Sequence, residues 1–96
     1  MTYKIYFIKK ARKEWDKLDF SIKDQLKKKI IERLENPHVS KDKLSIKENF
    51  YKIKLRTTGY RLIYHVIDEK LIVNIIAIAK RDKDYVYKII HKRLSG

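Results

Sequence analysis

Hydrophobic and polar positions along this 96-residue chain change period several times, and each change marks an element. Tyr3 to Ile8, YKIYFI, is dense in β-forming residues and predicts a first strand. From Lys9 the spacing turns helical. Ala11, Trp15 and Leu18 recur with charged residues between them, which predicts a short amphipathic helix. Ser21 and Asp24 form an S-x-x-D arrangement able to cap a second helix with the stripe Ile22, Leu26, Ile30 and Leu34. Asp19-Phe20 joins the two as a helical hairpin. Asn36-Pro37 ends the second helix, because the residue before proline is pushed out of the α region. His38 to Asn49 is polar and aperiodic, and reads as an irregular connection.

Phe50 to Tyr64, FYKIKLRTTGYRLIY, then alternates with period two. Successive strand side chains point to opposite sides, so Lys52, Lys54 and Arg56 share one face, with Tyr51, Ile53 and Leu55 on the other. Thr57-Thr58-Gly59 is a tight turn in which Gly59 can supply a positive φ, and Tyr60 to Ile67 returns as the partner strand carrying Arg61. Asp68-Glu69-Lys70 is a further turn. Leu71 to Ala79, LIVNIIAIA, is a nearly continuous apolar run, the mark of a strand covered on both faces and central in its sheet. It ends in Lys80-Arg81. From Asp82 the period is helical again, with Val86, Ile89, Ile90 and Leu94 on one side and Tyr87 off that stripe. The order β-α-α-β-β-β-α predicts an α+β fold in one domain, residues 1–96: a mostly antiparallel sheet of three or four strands packed on an N-terminal helical hairpin, plus a C-terminal helix.

Charge changes the picture. Subtracting 12 Asp and Glu from 25 Lys and Arg leaves +13, an excess that favours a polyanionic partner, nucleic acid first and an acidic protein second. An anionic membrane ranks third. The chain has no cysteine, so disulfides, thiol nucleophiles and Cys-based metal sites are excluded, and a reducing cytoplasm is compatible. No signal-like or membrane-spanning apolar run is expected. His38, His65 and His91 are not in metal-ligand spacing, and neither metal nor cofactor is expected. Like charges side by side on a strand repel, so the grouping of Lys52, Lys54 and Arg56 suggests that an anion is received there. On composition alone, a merely solvated strand face is the commoner reading of three such residues, and a lone Tyr87 is more often a rim aromatic.

The pieces together resemble the RelE toxins of the RelE/ParE toxin–antitoxin superfamily. The resemblance runs through KEWDKL, KDQLKKKIIERLENP, YKIKLRTTGYRLIYHVIDEKL and AIAKRDKDYVYK. It implies a microbial-RNase-like fold and a cytoplasmic toxin, monomeric when free, that enters the ribosomal A site, cuts mRNA there and is held in check by a RelB-like antitoxin. By the same resemblance Lys52, Lys54, Arg61, Arg81 and Tyr87 are the catalytic set. The gyrase-poisoning ParE branch shares the fold but generally lacks the full set, and a non-catalytic toxin or basic binding module of that kind is the alternative.

Cleavage by the 2′-hydroxyl of RNA needs a base, positive charge for the phosphorane and a proton for the departing oxygen. No histidine stands among the cations. Lysine starts near ~10.4, and adjacent positive charge lowers that value. Lys54, with Lys52 and Arg56 about 6.6 Å away on either side at a rise of ~3.3 Å per residue, is therefore the candidate base. Lys52 and Arg61 would stabilise the phosphorane, Arg81 the leaving group, and Tyr87 would stack on a base or orient the 2′-hydroxyl. Arg56, Lys80, Lys27 and Lys28 are candidate RNA-backbone contacts.

Overall fold

The computed structural model describes residues 2–80 and 85–95. Its elements are β1 (Lys4–Phe7), α1 (Lys9–Asp16), α2 (Phe20–Glu35), β2 (Phe50–Lys54), β3 (Tyr60–Ile67), β4 (Ile72–Lys80) and α3 (Tyr85–Ser95). The strands form one sheet in the order β1-β4-β3-β2, in which β1 runs parallel to β4 and the other pairings are antiparallel. The expected α+β order and central last strand are both present.

Helices cover both faces of the sheet. On one, Ala11 of α1 and Ile22, Leu26 and Ile30 of α2 pack on Tyr51, Ile53, Leu62, Tyr64, Val73 and Ile75. On the other, Ile90 of α3 packs with Phe50, Ile63, Ile76 and Ala77. Burying one such Leu or Ile side chain is worth roughly 1.5–3 kcal/mol, so the two clusters carry the fold. Double coverage explains why β4 reads as an unbroken apolar run: a register shift opposite Ile63 and Tyr64 makes room for an extra residue, and Ile75 and Ile76 serve different clusters.

Several boundaries differ from the sequence reading. The N-cap of α2 is Asp19 and Ser21 lies inside the helix, where its hydroxyl accepts from Gln25, so the S-x-x-D pair does not cap it. Leu71 stands outside β4 because it closes the preceding turn in the left-handed region, at φ 54°. Tyr87 packs against the α3-side cluster instead of lying off the stripe, so the buried face of α3 includes it. Trp15 is only half-buried, tilted against Phe7 at 5.6 Å.

Polar groups tie the helical layer to the sheet. The Tyr64 hydroxyl donates to the Pro37 carbonyl (2.7 Å) and accepts from Arg33 (2.9 Å). His38 joins the Tyr51 hydroxyl (2.9 Å) to Asp68 (2.8 Å), which also accepts from Tyr3 (2.7 Å). The Tyr3 and His38 hydrogen bonds hold the Asp68 carboxyl below its usual value of 3.8. His65 stacks on Phe50 at 4.5 Å, and burial, helped by the Lys47 charge, pushes its imidazole below 6.5.

Two outcomes follow. Tyr64→Phe strands two partners in a buried place and is expected to cost about 1–3 kcal/mol in urea unfolding. Both shifted groups have depressed folded values, so their contributions are present above the unfolded values and are lost as pH falls. Stability is therefore expected to decline in two steps, the first beginning below pH 6.5 from His65 and the second below 3.8 from Asp68. His65→Phe should remove only the first.

Candidate nucleic-acid interface and active site

The β2–β3 ladder sorts the hairpin side chains. Tyr51 opposes Tyr64 and Ile53 opposes Leu62 on the face covered by α1 and α2. Phe50 opposes His65, Lys52 opposes Ile63 and Lys54 opposes Arg61 on the face covered by α3. That second face changes along its length from apolar under α3 to cationic at the hairpin end. Directly opposed residues have Cβ atoms about 4.5–5.5 Å apart, so the Lys54 and Arg61 stems begin as immediate neighbours.

The loop closes by Leu55 N–H to Tyr60 O and Gly59 N–H to Leu55 O, both 2.8 Å, with Gly59 at φ 77°. That left-handed position costs glycine nothing. The last ladder pair is Lys54 with Arg61, so Arg56 belongs to the turn and not to the strand, a correction to its expected place in the alternation. It is nonetheless brought to the same cationic surface.

Arg61 is half-buried, and its Nη1 donates to the Tyr87 hydroxyl at a long 3.4 Å. Its Nε is buried without a partner among the described residues. Ala79 lies opposite Arg61 on β4, on the face that α3 covers. Lys80 lies over the Tyr60 ring at 5.7 Å, at the same end of the sheet. Arg81 is outside the described residues.

Beyond the edge strand β2 the cationic surface continues into a cleft of about 340 Å³ lined by Lys29, Arg33, Lys41, Lys52, Lys54 and Arg56. Arg33 builds its wall. It donates to the Lys52 carbonyl (3.0 Å) and pairs with Asp42 (2.5 Å), both side chains being largely buried. Lys29 and Lys41 thus join the site, Lys29 unseparated from the other helix lysines by sequence and Lys41 masked by an aperiodic loop. Lys27 and Lys28 stay exposed on α2 outside the cleft, and Lys28 pairs with Asp24 at 3.3 Å.

A larger cavity of about 660 Å³, between Phe50, His65, Ile76 and Leu94, lies at the other end of the α3 face and includes none of the expected site residues. Among the described residues no cluster of His, Asp and Glu could hold a metal ion, and no helix is long and apolar enough to cross a membrane.

Comparison with known proteins identifies relatives of the chain and of its fold. A family model described as the ParE toxin of the type II toxin–antitoxin system parDE matches residues 5–85. The chain is 47% identical over 94 residues to the mRNA interferase toxin RelE of Escherichia coli K12, covering 98% of this chain and 99% of that one. A double arginine-to-alanine mutant of E. coli RelE in the free state superposes with a TM-score of 0.89 at 46% identity, covering 98% of this chain and 99% of that one. The intact E. coli RelBE toxin–antitoxin complex gives a TM-score of 0.82 at 47% identity, over 84% of this chain and 99% of that one.

The grouped cations repel, and salt screens them. Raising NaCl from roughly 50 mM to roughly 500 mM shortens the Debye length severalfold and is expected to raise the melting temperature, less so for Lys54→Met. Equal salt responses would show that the grouping carries no strain.

Proposed function

The chain belongs to the RelE/ParE family of toxins of type II toxin–antitoxin systems, and from that membership we propose that it is an mRNA interferase, a metal-independent endoribonuclease that arrests translation. Its substrate is mRNA held in the ribosomal A site, in the cytoplasm, and a RelB-like antitoxin restrains it. The observation that carries this reading is the convergence of Lys52, Lys54 and Arg61, with Tyr87 against Arg61, at one end of one sheet face.

Lys54 takes the proton of the 2′-hydroxyl, the 2′-oxygen attacks the adjacent phosphorus and the bond from phosphorus to the 5′-oxygen breaks. The products are a 2′,3′-cyclic phosphate and a 5′-hydroxyl, the latter protonated from solvent water beside Arg81. Lys52 and Arg61 stabilise the charge that develops on the phosphorane. Tyr87 stacks on an unstacked base or orients the 2′-hydroxyl. Arg56, Lys80, Lys29 and Lys41 follow the RNA backbone, and Lys27 and Lys28 on the outer face of α2 meet ribosomal RNA. Among the described residues no strong acid–base group joins Lys54 at the site, so substrate positioning by the ribosome supplies much of the barrier lowering, of the order of 7–11 kcal/mol where it is complete.

The ParE description of the matching family model favours a second reading, a toxin that blocks its target by binding alone. Primer extension on ribosome-bound and free mRNA separates the two. Cuts within the A-site codon that require the ribosome are expected from the wild-type chain. Lys54→Ala should lower the single-turnover rate by ~10²-fold or more, with ribosome binding changed only modestly. Growth arrest without cuts would support the binding toxin.

A further inference from the structure

β1 ends at Phe7, opposite Ile75, whereas β4 runs on to Lys80. Among the described residues no strand lies on the β1 side of β4 from Ile76 to Ile78, so the backbone groups on that side must find other partners. Two charged side chains supply them. Glu14 of α1 accepts from the Ile78 N–H (3.0 Å), and Arg93 of α3 donates to the Ile76 carbonyl (2.6 Å). The same residues then pair with each other through two bonds, Nη1 to Oε1 at 3.1 Å and Nη2 to Oε2 at 2.8 Å. The Arg93 side chain is 11% exposed and that of Glu14 25%, so this pair is mostly shielded from water.

The pair clamps α3 to α1 across the sheet edge, and α3 carries Tyr87. Tyr87 and Arg93 lie six positions apart on α3, about 9 Å along the axis at 1.5 Å per residue. Between them Ile90 is fully buried in the α3-side cluster. Apolar burial holds the helix on the sheet but is non-directional, so it sets neither rotation nor axial position sharply. A two-bond guanidinium–carboxylate pair with both members also tied to β4 backbone does set them. We propose that Glu14 and Arg93 are positioning residues for RNA cleavage: they fix the seat of α3 and so hold the Tyr87 hydroxyl against Arg61. This rests on the nuclease reading above, since its consequence is read at the cut.

A mutant cycle between Arg93 and Tyr87 tests it on ribosome-bound mRNA. Arg93→Ala is expected to slow single-turnover cleavage roughly 10- to 100-fold, the range for a displaced group, while the concentration giving half-saturation stays within about twofold. Added to Tyr87→Ala it should cost at most about twofold more, because the group it positions is already gone. Arg93→Lys, which can keep one of the bonds, should recover part of the rate. Glu14→Gln keeps an acceptor for Ile78 and removes only the ion pair, so it takes the place of Arg93→Ala in the cycle if that variant does not fold. Wild-type cleavage by folded Arg93→Ala or Glu14→Gln, or an equal loss with and without Tyr87, would overturn the proposal and leave the nuclease reading intact. A wild-type chain that does not cut at all would overturn both.

Discussion

Two cations are held directly opposite each other on a strand pair, and the rest of the molecule makes that placement possible. Lys54 and Arg61 share the last rung of the β2–β3 ladder, where like charges are destabilising. On the opposite face the rungs beneath them are aromatic and apolar, Tyr51 with Tyr64 and Ile53 with Leu62; on their own face Lys52 stands opposite buried Ile63, and Phe50 stacks on His65 below that. Helices then close both faces over these pairs. The unfavourable rung is thus the end of a rigid ladder, at the rim of the sheet.

The tertiary ties converge on the strands that carry the site. Arg33 grips the Lys52 carbonyl from α2, so the edge strand is fastened at the residue next to the cationic end. Tyr64, bonded to Arg33 and Pro37, anchors the partner strand to the same helix and the connection after it. On the far side, Glu14 and Arg93 satisfy the buried edge of β4 beyond the end of β1 and tie α3 to it. Each tie satisfies a backbone or buried polar group and fixes a cationic or aromatic side chain in the same act. For a site whose acid–base groups are intrinsically weak, preorganisation of this kind is the main resource.

How much of this was legible in the sequence depends on the range of the interaction. Alternation alone separates Lys52 and Lys54 from Tyr51 and Ile53, because the strand period is local and both faces are marked by residue type. It overshoots at Arg56, since the pattern continues for one more step after the ladder has stopped. Leu71 looks like strand for the same reason, although the turn needs it in the left-handed region. Arg33 resembles any other charge on an amphipathic helix, and nothing nearby reveals that Asp42, Tyr64 and Lys52 surround it. Glu14 and Arg93 stand 79 residues apart, so no pattern along the chain connects them. The assignment of Lys52, Lys54, Arg61 and Tyr87 to one site came from family resemblance, and their placement together depends on strand register and helix docking.

The proposed function has one chemical centre, attack by the 2′-oxygen of RNA on its own phosphate beside Lys54 and Arg61. The most direct measurement uses a ribosome-bound mRNA with a single 2′-deoxynucleotide on the 5′ side of the scissile phosphate, compared with the all-ribose message. The expected result is that the substituted position stays uncut while the unmodified message is cleaved at the same ribosomes. Cleavage of the deoxy-substituted bond at the ordinary rate would contradict that chemistry, because the nucleophile would then have to be water.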